Sequence, residues 1–192
     1  MLGLPRGGMP VAAEIAGALD LELDVIVVRK IGVPGHEELA MGAIASGDVV
    51  VRNKDIMEGL GIPECVFDEV LRRERAELLD RERRFGKTAI PPPFADRTVI
   101  VVDDGVATGA TMKAAAASIR PTGAGRLVVA LPVASPDAAE ELVEVVDRLV
   151  CLHRPDVLGS VGQAYDDFSQ TTDAQVRRLL QDARDRVGRG GA

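Results

Sequence analysis

The stretch VIVVDDGVATGATM, residues 99–112, decides the fold of this 192-residue chain. It opens with four β-branched apolar residues, 99–102, and such a run predicts a strand buried on both faces. Asp103 and Asp104 follow, then a loop of small residues and an alanine-rich run that suits a helix. A strand that turns through glycines into a helix N-terminus offers backbone N–H groups and a favourable dipole to an anion. The stretch therefore predicts a phosphate-binding loop.

The two acids and the loop are expected to bind different parts of the ligand. Asp103 and Asp104 would repel a phosphate, so we expect them to face another part of the ligand, most simply ribose hydroxyls. The hydroxyls of two threonines can add donors to the backbone N–H groups of the loop. The candidates for holding the phosphate are consecutive: Gly105, Val106, Ala107, Thr108, Gly109, Ala110 and Thr111.

Other phosphate loops fit these residues poorly. A P-loop needs Lys before its final Ser or Thr, and Ala110 occupies that place. A dinucleotide fingerprint needs G-x-G-x-x-G, whereas Gly105 and Gly109 are wrongly spaced. The remaining alternative is a plain strand-to-helix turn with two capping acids.

Composition narrows the class of protein. The chain is 46% hydrophobic and 3% aromatic without Trp, so aliphatic residues must build the core of one domain. A net charge of −7 argues against binding nucleic acid by general electrostatics. No apolar run approaches a membrane span, and no signal peptide precedes the first strand. Cys65 and Cys151 lack metal-ligand spacing, so reduced thiols in a cytoplasmic protein are expected.

The central stretch resembles the PRPP (5-phosphoribosyl-1-pyrophosphate) motif of the type I phosphoribosyltransferases. That pattern is an apolar strand, two acids and a short loop carrying Thr-Gly-x-Thr, here Thr108 to Thr111. Alternating strands and helices with short turns independently indicate a parallel α/β sheet. The resemblance implies an open, mainly parallel twisted sheet flanked by helices, with a small C-terminal hood segment.

Two basic segments resemble the pyrophosphate-binding parts of that family. Gly3-Leu-Pro-Arg-Gly-Gly is similar to its pyrophosphate loop, which assigns Arg6, Gly7 and Gly8 to pyrophosphate, although Pro-Arg-Gly-Gly is also an ordinary turn. A predicted strand at 25–28 ends before Arg29-Lys30, where a resemblance to adenine phosphoribosyltransferases assigns Lys30 to pyrophosphate. A solvated strand end is the alternative. Arg83, Arg84 and Lys87 form a weaker set that could reach the same group from a closing loop.

Residues 154–168 resemble the late segment of purine phosphoribosyltransferases. The resemblance implies that Val161 and Gly162 offer backbone groups to the base, and that Asp166 stands where the family has a carboxylate near the metal. Two additional residues between the Pro-Asp and Val-Gly pairs shift this register. A surface turn is the alternative for Asp166.

The predicted domain plan is a single unit over residues 1–187. The chain begins inside a strand, so the leading element of the family fold is expected to be missing, with a misassigned start codon as the alternative. Residues 54–95 form a helical insertion and connector, with a long charged helix over 62–85, and a hairpin is predicted over 41–51. Thr172 and Gln175 predict a capping box for the last helix, followed by a disordered tail, 188–192.

The resemblance implies transfer of a 5-phosphoribosyl group from PRPP to a small nitrogenous base, with release of pyrophosphate. Mg²⁺ is the implied cofactor, Asp103 and Asp104 the catalytic residues, and a homodimer the expected assembly. In family members that act on 6-oxopurines an Asp precedes the motif's Thr-Gly, but here that residue is Ala107. The acceptor is therefore expected not to be a 6-oxopurine. A PRPP-sensing regulator without turnover and a general phosphate-sugar binding module remain alternatives.

Overall fold

The computed structural model describes residues 1–86 and 94–190. The strands are β1 (Leu2–Gly3), β2 (Asp24–Val25), β3 (Val28–Val33), β4 (His36–Ala45), β5 (Val49–Arg52), β6 (Thr98–Val102), β7 (Arg126–Val133) and β8 (Arg148–His153). The helices are α1 (Gly8–Ala18), α2 (Lys54–Gly59), α3 (Glu64–Arg84), α4 (Ala110–Ile119), α5 (Pro136–Val145) and α6 (Asp173–Gly190). Short 3₁₀ turns cover Arg120–Thr122 and Val161–Ala164.

Five strands form a parallel sheet in the order β2-β1-β6-β7-β8. The strand β6 lies at its centre and is buried from both sides, as the apolar run predicted. Val99 and Val101 pack into one hydrophobic cluster, and Val102 packs into the cluster on the other face. The predicted parallel α/β sheet flanked by helices is confirmed.

Helices cover both faces of this sheet. On one face, α4 and α5 bury Met112, Ile119 and Leu142. On the other face, α1 contributes Met9 and Ala12, and α6 adds Val176, Leu180 and Ala183. The loops at the carboxyl ends of β1 and β6 are thereby held between two packed layers.

A second sheet of three antiparallel strands, β3-β4-β5, follows directly from the first. The predicted hairpin over 41–51 is confirmed as β4 and β5, but the predicted strand over 25–28 is wrong. The chain leaves the parallel sheet after Val25 and begins β3 at Val28. At the crossing, Val27 donates its N–H to Oγ of Ser46 at 2.9 Å, and its carbonyl accepts the N–H of Ser46 at 2.9 Å.

The long charged helix is confirmed as α3, which packs on the second sheet through Phe67 and Leu78. The predicted insertion and connector, 54–95, thus holds α2 and α3, while its residues 87–93 lie outside the described residues. None of the described helices combines the length and hydropathy that a bilayer crossing needs.

The capping box before α6 is confirmed by reciprocal bonds. Thr172 donates its N–H to Oε1 of Gln175 at 2.7 Å, and Gln175 donates its N–H to Oγ1 of Thr172 at 3.2 Å. The helix continues through Gly190. The tail predicted at 188–192 is therefore helical over 188–190, and residues 191–192 lie outside the described chain.

Candidate functional site

The two glycine-containing turns lie side by side at the carboxyl edge of the parallel sheet. Strand β1 pairs with β6, with Gly3 opposite Val102, and Leu4 donates its N–H to the Val102 carbonyl at 2.9 Å. The turn over residues 4–7 leads from β1 into α1, and the stretch 103–109 leads from β6 into α4. Neighbouring parallel strands thus bring together two motifs that are far apart in sequence.

Gly7 and Gly8 permit the turn after β1 to touch the acidic pair. A Cβ atom on Gly7 would lie 1.7 Å from Oδ2 of Asp104, and one on Gly8 would lie 2.6 Å from the Val102 carbonyl oxygen. The N–H of Gly8 donates to the Leu4 carbonyl at 3.0 Å. This N–H is used within the turn, and the lack of a side chain on Gly8 permits close packing, so the assignment of Gly8 to pyrophosphate stays a prediction.

The acidic pair is partly buried. Burial raises the pKa of Asp103 to about 8, and the neighbouring Asp104 carboxylate contributes to that rise. Burial also raises the pKa of Asp104. In the part of the chain that the structure describes, no Lys, Arg or His nitrogen lies within 4.0 Å of either carboxylate. Such a pair favours a ligand that brings hydroxyl donors or positive charge.

The predicted phosphate loop encloses a cavity of about 140 Å³. Gly109 stands before the first residue of α4 with φ of +69°, a left-handed conformation that suits glycine. The N–H groups of the first turn of α4 have no acceptor in a preceding helical turn, so they are available to an anion. The cavity is lined by Asp103, by Met112 and by every predicted loop residue: Gly105, Val106, Ala107, Thr108, Gly109, Ala110 and Thr111.

One loop residue differs from the prediction. Val106 donates its N–H to the Val133 carbonyl at 3.0 Å, so this N–H is not free for phosphate. Its side chain is buried in the core. Val106 therefore anchors the loop to β7, and the available backbone donors begin after it.

Ser135, which the motifs did not identify, donates two hydrogen bonds to the backbone of the phosphate loop. Its N–H donates to the Val106 carbonyl at 3.0 Å, and its hydroxyl donates to the Ala107 carbonyl at 2.7 Å. The same hydroxyl accepts the N–H of Ala138 at 3.2 Å and thereby caps α5. Its position before Pro136 signals a helix start, but nothing in the sequence signals the contact with the loop.

A cavity of about 330 Å³ adjoins the acidic pair on the side of the second sheet. Lys30 lines it together with Asp103 and Thr111, although Lys30 lies within β3 and not at the end of a parallel strand as predicted. Nζ of Lys30 lies 3.3 Å from Oε2 of Glu38, whose side chain is almost fully exposed. The remaining lining residues are Leu4, Pro5, Val27, Val28, Arg29 and Arg81.

The weaker basic set from α3 does not line this cavity among the described residues. Arg83 and Arg84 both pair with Asp80, at 3.7 and 2.5 Å. Lys87 lies outside the described chain. The helix instead contributes Arg81, which no motif in the sequence singled out.

A third cavity, of about 450 Å³, lies beside Asp104 under the hood segment, residues 154–172. Arg6 lines this cavity and not the one that holds Lys30, so the two predicted pyrophosphate cations are separated. Arg6 lies 3.5 Å from Asp173, with nearly half of its side chain exposed. Tyr165 and Phe168 also line it, with ring centroids 5.2 Å apart.

The hood is tied to the acidic pair through Tyr165, whose hydroxyl donates to the Asp104 carbonyl. The predicted base-binding residues support this hood: a Cβ on Gly162 would lie 2.8 Å from the Phe168 ring, and Val161 contacts Gly105. Asp166, the predicted metal ligand, is exposed, and its neighbour Asp167 lines the cavity instead. Within the described ranges, no group of three or more His, Cys, Asp or Glu side chains is placed to hold a metal.

Comparisons with known proteins cover nearly all of the chain. The family model for the phosphoribosyl transferase domain matches residues 1–168. Two curated Mycobacterium tuberculosis proteins are each 42% identical over 192 residues: "Putative phosphoribosyl transferase MT0597" of strain CDC 1551 and "Putative phosphoribosyl transferase Rv0571c" of strain H37Rv. The chain spans 43% of the length of each. The crystal structure of TT1426 from Thermus thermophilus superposes with a TM-score of 0.87 at 40% identity, over 94% of this chain and 86% of that one.

Proposed function

This chain belongs to the phosphoribosyl transferase domain family, and on that premise we propose that it transfers a 5-phosphoribosyl group from PRPP to a nitrogen of a small base. One observation carries the proposal. An acidic pair stands between a phosphate loop, a cation-lined cavity and an aromatic-lined cavity. These three surroundings match the chemistry of a phosphate, a pyrophosphate and a planar base around one ribose.

The proposed binding mode follows from these neighbours. The 5′-phosphate of PRPP accepts N–H groups of residues 107–111, and the ribose hydroxyls donate to Asp103 and Asp104. Pyrophosphate occupies the cavity that Lys30 lines, and the base lies against Tyr165 and Phe168. Pyrophosphate then leaves from one side of the ribose, and the nitrogen of the base approaches from another side.

The charges of the site suit this reaction. Breaking the bond between ribose and pyrophosphate builds positive charge on the ring and negative charge on the leaving group. The carboxylates of the acidic pair stabilise the ring, and Lys30 stabilises the pyrophosphate. The phosphate loop fixes the far end of the substrate, so binding energy there positions the reacting carbon.

Magnesium fits this site only as an ion that takes most of its ligands from the substrate and water. The acidic pair supplies hard oxygen ligands, but the described residues hold no cluster of three or more potential ligands. Mg²⁺ commonly takes one or two carboxylates and completes its shell with substrate phosphate oxygens and water. When bound, the ion would neutralise charge on pyrophosphate. Asp103 and Asp104 would hold it, while Asp166 is too exposed to be a strong candidate.

The direct test is an assay of pyrophosphate release with PRPP, Mg²⁺ and a panel of bases. We expect turnover with at least one base and little with hypoxanthine or guanine. Ala107 is an exposed residue of the loop and has no group that can move a proton at the purine, a contribution typically worth about 10²–10⁴-fold.

Each other outcome of the panel has a definite meaning. Best turnover with a 6-oxopurine would show that another residue, with Asp167 at the cavity as the first candidate, supplies the base. PRPP binding without turnover on any base would identify a PRPP-sensing regulator. Binding of phosphate sugars without any preference for PRPP would identify a general binding module.

A second prediction separates the acidic pair from the loop. Asp104→Asn should weaken PRPP binding by roughly 1 kcal/mol or more, because the ribose hydroxyl then donates to a neutral amide oxygen and not to a carboxylate. Inorganic phosphate, which needs only the loop, should bind with unchanged affinity. Calorimetric titration of both ligands checks this, and equal losses for the two would mean that Asp104 merely supports the loop.

A further inference from the structure

One position on the inward stripe of α3 carries a cation where its neighbours are buried. The residues of this helix that face the second sheet recur every three or four positions: Phe67, Leu71, Glu74, Leu78 and, just after the helix, Phe85. Arg81 falls into this series, three residues after Leu78 and four before Phe85. Its side chain therefore starts from the packed side of the helix and extends into the cavity beside Asp103.

The other charged member of the stripe has a partner within the protein. Glu74 is 8% exposed and receives two nitrogens of Arg29, at 2.7 and 2.9 Å. Arg81 has no such partner, since no carboxylate among the described residues lies within 4.0 Å of its guanidinium. Arg81 is exposed at the edge of the cavity that it lines, so its charge is available to an external anion there.

The surroundings of Arg81 carry excess positive charge. Glu74 neutralises Arg29, but Lys30 pairs with the exposed Glu38, a weak and displaceable partner. Burial lowers the pKa of Arg81, and the nearby guanidinium of Arg29 lowers it further, while the carboxylate of Glu77, one helical turn earlier, opposes this effect. The cavity is therefore suited to an anion with more than one charge.

We infer that Arg81 is a binding residue for the pyrophosphate group of the substrate, and that it forms this subsite together with Lys30. The inference rests on the proposed function and adds a residue from the long helix to the site. A guanidinium presents parallel N–H donors that match two phosphate oxygens, whereas Lys30 offers a point charge. Arg29, which lines the same cavity, is instead paired with Glu74.

The test compares Arg81→Ala with Arg72→Ala, a matched variant on the same helix. Arg72 is exposed and lines none of the three cavities around the acidic pair. Calorimetric titrations would use PRPP, inorganic pyrophosphate and ribose 5-phosphate, each with Mg²⁺. For Arg81→Ala we expect a loss of about tenfold or more for PRPP and pyrophosphate, and no change for ribose 5-phosphate. Arg72→Ala should change none of the three, and Arg81→Lys should recover part of the loss.

The outcomes distinguish this inference from the proposed function. If wild type binds PRPP and Arg81→Ala binds PRPP and pyrophosphate equally well, the inference is wrong and the function stands. An equal loss for all three ligands would mean that Arg81 supports the fold of the site, which also overturns the inference. A wild-type chain that does not bind PRPP at all would overturn the proposed function itself.

Discussion

Replacing Gly109 by Val should abolish PRPP binding while the protein remains folded. Gly109 has φ of +69° at the start of α4, and a left-handed conformation costs L-residues roughly 1–2 kcal/mol, a β-branched residue more. A Cβ would meet no atom closer than 3.5 Å, so the change creates strain and not a collision. Relief of that strain moves the N–H groups that hold the phosphate. Calorimetry with PRPP and circular dichroism would measure binding and folding separately.

The chain offers a matched control in Gly123, at the far end of the same helical segment. Gly123 has φ of +82°, and its nearest neighbour to a built Cβ is likewise 3.5 Å away. Gly123→Val should therefore cost similar stability and leave PRPP affinity intact. If both variants lose PRPP equally, the effect arises from general destabilisation, and the assignment of the phosphate loop fails.

Asp103→Asn should abolish transfer yet make the protein more stable at pH 8. The pKa of Asp103 is about 8 in the folded protein against an ordinary 3.8, so the folded state keeps a proton that the unfolded chain has released. Stability then falls as pH rises between about 4 and 8, because the folded state binds more protons over that interval. Asparagine stays neutral and can still accept the N–H of Asp104. We expect a gain on the order of 2 kcal/mol, or about 5 °C in Tm, at pH 8 and almost none at pH 4.

Asp147 is a useful control, because its carboxylate should make stability rise with pH, opposite to the effect expected at Asp103. The Arg120 guanidinium lowers the pKa of Asp147, so this carboxylate stabilises the fold above its ordinary pKa and loses that effect as pH falls. Asp147→Asn should lower Tm at pH 8. Thermal melts of both variants between about pH 4 and 9 would test the pair. A loss of stability in Asp103→Asn at pH 8 would show that burial does not destabilise the charged form of this acid.

The sequence predicted those features that depend on residues close together in the chain. The central motif is contiguous, so its strand, acids and loop could be recognised from spacing, as could the capping box at Thr172. The change of sheet after Val25 could not, because it depends on a bond to Ser46 that no local pattern contains. Because of this change of sheet, Lys30 lines the cavity beside Asp103 from β3 of the second sheet and not from the end of a parallel strand.

The residues that complete the site were missed for a similar reason. In the sequence, Ser135 is an ordinary helix cap and Arg81 is one arginine among many on a charged helix. Only the packing of α5 behind the loop and of α3 on the second sheet gives each its place. Gly7 and Gly8 were recognised, but the sequence could not show that a carboxylate and a carbonyl occupy the space where side chains would lie.

The shortness of β1 also matters for how the site comes into being. This two-residue strand lies between β2 and β6, and the register joins Gly3 to Val102. During synthesis, one edge of β1 must therefore wait for a partner that leaves the ribosome about a hundred residues later, several seconds at typical elongation rates. Until then, a two-residue strand gains little stability from its few hydrogen bonds. The two turns of the site can therefore come together only after β6 has been made, and a ligand that bridges both turns would also stabilise the folded chain.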